Sequence, residues 1–292
     1  MSKKYFAISD IHSFYDEMIL ALSNHNFDLN NTEHILIICG DCFDRGDFSV
    51  KVFEFIKELK SQDRLIYIRG NHEDLLFDCI DELVRYGKCG SHHYSNGTVK
   101  TLSHFINEDD YWVYSTYIPT NIIESIVNNT KELRAFIQDT CIDYFTLGNK
   151  IFVHSWLPCI ADDLNVYHSR KTYKGIDDIW DKDPNSLKVS DSVKYHEAWR
   201  SARWGNGFVQ YKAGLVPADK VIVFGHWHTS WYRSHILMTH KEWPQKNRHD
   251  FYETFYPVIT DKIVALDSCV AYTGKINCVI FDENGEILDY DK

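Results

Sequence analysis

The stretch ILIICGDCFDRG, residues 35–46, holds two kinds of information. Its first half is a continuous apolar, β-branched run, the composition and length of a strand buried on both faces. A carboxylate, Asp41, then follows Gly40 at once, and Asp44 and Arg45 come one turn later. The same succession recurs along the chain. Tyr5–Ser9 precedes Asp10 and His12, and Leu65–Ile68 precedes Gly70, Asn71 and His72. Ile151–Val153 precedes His154, and Val221–Phe224 precedes Gly225, His226, Trp227 and His228. Between the early runs, Val52, Phe55, Ile56 and Leu59, and then Leu76, Cys79, Ile80 and Leu83, fall at i, i+3, i+4, i+7 and predict amphipathic helices. Strand–helix alternation predicts a layered α/β core. Ligands of such sheets bind at the carboxyl ends of the strands, so all five polar groups are expected on one rim.

The rest of the chain departs from this rhythm. Residues 101–142 read as helical, ending in Lys131–Thr140, and Asp143–Val153 reads as a hairpin turning at Gly148 and Asn149. Residues 155–215 are irregular and rich in Trp and Tyr, and 230–257 carry His235, His240, Trp243 and His249. These three stretches, about 101–142, 155–215 and 230–257, read as insertions. Ile263–Leu266 and Ile276–Phe281 read as closing strands, with a turn at Glu283, Asn284 and Gly285. Because the motifs run from 10 to 228, they cannot be divided between consecutive domains, and one domain over 1–292 is expected.

Composition narrows the function. The 292 residues carry a formal charge of −11, with no basic block, which argues against strong nucleic-acid binding through phosphate neutralisation. No run approaches the 18 or so apolar residues of a membrane span. The apolar stretch Tyr5–Ile8 stops at Asp10, too short for a secretory leader, so a cytoplasmic setting is expected. Of eight cysteines, Cys39 and Cys42 alone form a CxxC, and no second pair completes a zinc site. They read as reduced thiols.

Residue types at the strand ends suggest the chemistry. Asp10 and His12, at i and i+2, point the same way in extended chain and can hold one metal, although such a pair also occurs in surface turns. Asp41 has two oxygens, enough to bridge two cations. Arg45 suits bidentate phosphate recognition, the plainer reading being an Asp44–Arg45 surface pair. Asn71 can be a metal ligand or simply a helix N-cap. His154 alone is unspecific; His226 and His228 after Gly225 suit a metal rim. Five such strand ends in one chain are hard to reconcile with accident.

Taken together, Asp10-x-His12, Gly40-Asp41-x-x-Asp44-Arg45-Gly46, Gly70-Asn71-His72-Glu73, His154 and Gly225-His226-x-His228 resemble the calcineurin-like metallophosphoesterases, above all the phosphoprotein phosphatase branch with its bacterial and phage relatives. The resemblance implies a four-layer α/β/β/α metallophosphoesterase sandwich with surface insertions. It implies two divalent cations, manganese first and iron or zinc as alternatives. One would be held by Asp10, His12 and Asp41, the other by Asp41, Asn71, His154 and His226, with His228 either completing the first site or supporting it. Arg45 would bind the phosphoryl group, and His72 with Asp44 would be the acid pair. A second phosphate-binding arginine is expected from Glu197–Arg203; of Arg200 and Arg203, the latter is favoured. Ser13 stands where the family has Gly, which would narrow the pocket, and Ser155-Trp156 replace small residues, which would restrict access. The implied reaction is hydrolysis of phosphate monoesters, on a phosphoprotein or small phosphate ester, by attack of metal-bound hydroxide. Hydrolysis of dinucleoside polyphosphates such as diadenosine tetraphosphate is the alternative. A nucleic-acid phosphodiesterase and a catalytically silent scaffold stand further off.

Overall fold

The computed structural model describes residues 2–109, 118–161, 173–237 and 255–292. Two five-stranded sheets lie at its centre. In the first, β1 (Lys4–Ile8), β2 (His34–Cys39) and β3 (Leu65–Ile68) run parallel, and β11 (Val279–Phe281) and β12 (Ile287–Tyr290) extend the β1 edge antiparallel, in the order β12-β11-β1-β2-β3. The second has the order β4-β5-β8-β10-β9, from Phe145–Leu147, Lys150–Phe152, Val221–Phe224, Ile263–Ala265 and Val258–Ile259. Here β5, β8 and β10 are the parallel strands. Each sheet thus presents three parallel carboxyl ends. A small pair, β6 (Cys159–Ala161) and β7 (Tyr173–Ile176), stands apart.

Period-two alternation explains why the strands are apolar throughout. Ala7, Ile37, Cys39, Ile68 and Phe281 of the first sheet face Phe152, Val221, Val223 and Val264 of the second. Their neighbours Phe6, Ile8, Leu36 and Ile38 face outward onto helices α1 (Tyr15–Asn24), α2 (Ser49–Ser61) and α3 (Asn71–Tyr86), whose Met18, Val52, Ile56, Leu76 and Ile80 meet them. On the second sheet, Ile151, Ile222 and Phe224 pack against Trp156, Trp199, Phe208 and Tyr232. The result is the α/β/β/α sandwich that the sequence implies. The hairpin at Gly148 and the turn before Gly285 both form.

The insertions need correction. After α4 (His92–Asn96), helices α5 (Thr98–Ile106), α6 (Thr120–Asn129) and α7 (Lys131–Thr140) bury Leu102, Ile126, Leu133 and Ile137 in the first core, so they belong to the outer layer. Likewise α8 (Val189–Ala202) and α9 (Gly207–Lys212) bury Tyr195, Trp199 and Phe208 in the second core. Of 230–257, α10 (Thr229–Tyr232) opens the segment and His235 is exposed; His240, Trp243 and His249 lie outside the described residues. Among the described residues no helix is long and apolar enough to cross a membrane.

Candidate active site

The cleft is built from backbone first. Gly40 has φ +84°, and a Cβ there would lie 2.5 Å from His154 Nδ1, so only glycine lets the second sheet's histidine approach. A Cβ on Gly225 would lie 2.2 Å from Asp10 Oδ2. Asp10, His12, Ser13, Asp41, Asp44, Arg45, His226 and Cys269 all adopt positive φ, a conformation that costs L-residues energy and persists where surrounding contacts enforce it. Glu73 supplies much of that enforcement. Its Oε2 accepts from the N–H of Gly70 (2.7 Å) and Asp41 (3.0 Å), and its Oε1 from Cys42 N–H (2.9 Å) and Tyr67 Oη (2.7 Å). Glu73 therefore ties the β2 loop to the start of α3. This also removes the N-cap reading of Asn71: Gly70 caps the helix, with Glu73 bonding back to it, and the Asn71 side chain is free for the cleft.

Two groups of ligand atoms share Asp41. His12, Asp41 and His72 form one, and Asp41, His154 and His226 the other, each within 4.8 Å. His154 Nδ1 donates to the Cys39 carbonyl (2.8 Å), so its Nε2 presents a lone pair, which faces Asn71 Oδ1 at 2.8 Å and Asp41 Oδ2 at 3.4 Å. Three acceptors facing one another call for a cation among them. His12 is prepared in the same way, Nδ1 donating to Phe43 O at 3.0 Å. Burial pushes His154 down to about 3. Burial, then the neighbouring His72 and Arg45, lower His12, so both imidazoles are neutral and suited to a metal. Burial, followed by repulsion from Asp267, raises Asp10 well above the usual carboxylate range. Burial, then Asp10 and Glu73, does the same to Asp41. Buried carboxylates clustered this way want positive charge. The donors are all N and O, which suits manganese, iron or zinc.

Asp10, His12, Asp41, Arg45, Asn71, His72, His226 and His228 line one cavity of about 120 Å³. Asp10 accepts from the His226 N–H at 2.9 Å and enters neither triad. His72, expected as an acid and not a ligand, lies within reach of one triad. Its Nδ1 is 2.6 Å from Asp44 Oδ2, and its Nε2 faces the cavity, 3.4 Å from Arg45 Nη2. Asp44 in turn accepts from Thr98 Oγ1 and Thr101 Oγ1, both at 2.8 Å. His228 lies half-exposed at the rim, 3.9 Å from Asp267 Oδ2.

The second arginine is not delivered. Arg203 is buried, with Nε on Asp74 (2.8 Å) and Nη1 on Asp143 (2.8 Å), and Arg200 reaches Asp78 at the surface. Both are committed to carboxylates away from the cavity lining, so the expectation of phosphate contact from Arg203 or Arg200 gives way to ion pairs that dock α8 on α3. Ser13 does not narrow the pocket; its hydroxyl turns to Ser49 Oγ at 2.9 Å. Ser155 and Trp156 do not restrict access, because Ser155 bonds the Gly205 carbonyl and Trp156 is buried in the second core. Asp267, Asn96, Trp204 and Cys269 line the cavity without having been singled out. Asp267 carried a readable signal: it follows β10 as Asp41 follows β2. Asn96 ends the short helix α4 and Trp204 follows α8, with no such mark.

A two-sheet sandwich whose parallel strand ends bring Asp, Asn and His to one cleft defines a class, that of metal-dependent phosphoesterases. The chain matches the calcineurin-like phosphoesterase family over residues 3–230 and belongs to it. Within curated proteins it is 33% identical over 79 residues to the asymmetrical bis(5'-nucleosyl)-tetraphosphatase PrpE of Bacillus velezensis, a match covering 25% of this chain and 32% of that protein. It is 41% identical over 68 residues to the symmetrical bis(5'-nucleosyl)-tetraphosphatase of Buchnera aphidicola, covering 23% of each. The chain thus spans about a third or less of the length of these relatives. A solved structure, the cold-active protein-tyrosine phosphatase of a psychrophilic Shewanella, aligns over 97% of this chain and 76% of its own at 14% identity, TM-score 0.48.

Proposed function

We propose that the protein hydrolyses phosphate monoesters, on a phosphoprotein or small phosphate ester, with two divalent cations, manganese first, in the cytoplasm. The observation that carries this is Asp41, common to two ligand groups, with Arg45 and His72 beside it in one cavity. Asp10, His12 and Asp41 would hold one cation, and Asp41, Asn71, His154 and His226 the other, with His228 beside the first. Bound there, the pair supplies Lewis-acid activation of water and of the phosphoryl oxygens. The chain's own residues do the rest. Arg45, exposed at the rim, orients the phosphoryl oxygens and offsets their charge. His72 holds a proton at Nε2 for the leaving oxygen, while Asp44 accepts from Nδ1 and fixes the tautomer.

Dinucleoside polyphosphate hydrolysis is a second reading favoured by a specific feature. A groove of about 490 Å³, lined by Trp204, Trp227 and Trp231, adjoins the cavity and shares His226 and His228 with it. Such rings can stack a nucleobase. Turnover of phosphoserine peptides, 4-nitrophenyl phosphate and diadenosine tetraphosphate by metal-loaded protein tests both. Activity on none of the three, with two cations bound, would sink the hydrolase reading; preference for the nucleotide would select the second.

A further inference from the structure

A second group of metal-type side chains lies away from the cleft, where α3 passes to α4. Glu82, near the end of α3, and His92 and His93, opening α4, bring one ligand atom each within 4.8 Å of one another. The connector is shaped to allow it. The Gly90 N–H donates to Glu82 Oε2 at 2.7 Å and orients the carboxylate. A Cβ on Gly90 would lie 2.7 Å from His92 Nδ1, so glycine is what lets that ring fold back over the connector. The His92 and His93 rings stand 4.0 Å apart.

His93 is the independent sign of a ligand. It is fully buried; Nδ1 has no partner, and Nε2 has only a long contact to Glu82 Oε2 at 3.4 Å. A buried imidazole left in this way is costly and rare. Burial, with His92 beside it, lowers its pKa and favours the neutral ring, which has one lone pair to offer. We propose that Glu82, His92 and His93 form a structural site for a divalent cation of the zinc type, separate from the catalytic cleft. Two imidazoles and a carboxylate are a zinc donor set, the Gly90 N–H is the outer contact that orients one ligand, and a water on the exposed side of His92 would complete the four-coordinate shell.

The cation would pin the segment that supports the cleft. Asn96, which lines the cavity, donates from Nδ2 to the His92 carbonyl at 2.8 Å. A Cβ on Gly97 would lie 2.3 Å from the Arg45 backbone nitrogen, so the two backbones are in contact there, and Thr98 holds Asp44. Clamping α4 to α3 therefore steadies the wall behind Arg45 and Asp44.

The test uses the full chain, stripped by chelator and reloaded with zinc. Elemental analysis is expected to find one zinc equivalent more in the native protein than in His92→Ala, whose lost side chain is exposed and does not threaten folding. In an Asp41→Asn background, which disables the cleft, zinc should still raise the melting temperature by several degrees. Adding His92→Ala or Glu82→Gln should abolish that rise. Equal zinc content with and without His92, or an undiminished melting shift in the double variants, would overturn the site.

Discussion

The rim of the first sheet and the rim of the second are alike in plan and different in execution. Each collects three parallel strand ends: Asp10 and His12, Asp41, and Asn71 and His72 on one side; His154, His226 and His228, and Asp267 on the other. The first is over-determined. Its side chains are buried, its loops are held in left-handed backbone, and Glu73, Thr98 and Thr101 tie them down. The second is open on one side only: His154 and Asp267 are buried, whereas His226 and His228 are half-buried and border the tryptophan groove. Strain and satisfied hydrogen bonds are spent where atoms must be placed to a fraction of an ångström, and openness is kept where a substrate's remainder must fit. Under the proposed function both rims would hold metal ligands; the first would add the acid pair and Arg45, and the open side of the second would serve the choice of substrate.

Substitutions can break this contrast, and the largest effect is expected at the residue the two rims share. Asp41→Asn should lower occupancy of both cations and abolish turnover of every phosphate ester; normal loading of two metals in that variant would end the bridging role. On the first rim alone, His72→Asn should lower kcat/KM for phosphoserine by about 10²–10⁴-fold, since an alkoxide needs a proton to leave. Turnover of 4-nitrophenyl phosphate should fall far less, with both metals retained. Equal losses on the two substrates would instead make His72 a ligand, as its place in one triad allows. Arg45→Ala should cost about 10²–10³-fold on all substrates. Its melting temperature should stay within a few degrees, because the side chain is exposed. On the second rim, Trp227→Ala should leave 4-nitrophenyl phosphate turnover intact and weaken diadenosine tetraphosphate by about 1–3 kcal/mol, the worth of one base–aromatic stack. No change on the nucleotide would remove the groove from substrate selection.

Much of this was legible because it is written in short-range patterns. A period of two in β1 and β2, a period near 3.6 in α2 and α3, and a ligand-type residue directly after a strand each need only a few neighbouring residues to be read. Parallel strands then send those residues to the same edge, which is why seven proposed ligands from five segments could be placed on one cleft before any coordinates. Asp267 escaped because β10 is only three residues long and read as a closing strand. Arg203 misled for a different reason. An arginine is equally fit for phosphate and for carboxylate, and its partner Asp74 lies 129 residues away.

The sequence by itself determined the layered α/β class, the strand-end rim and the residue types gathered there, because side-chain periodicity and strand direction are local properties. Only the tertiary structure decided which charges face which. It set Arg203 on Asp74 and Asp143, turned Ser13 away from the cavity, freed Asn71 by leaving the cap to Gly70, and left His93 buried opposite Glu82. Pairing of polar groups depends on distances between elements far apart in the chain, and those distances exist only once the sheets have packed.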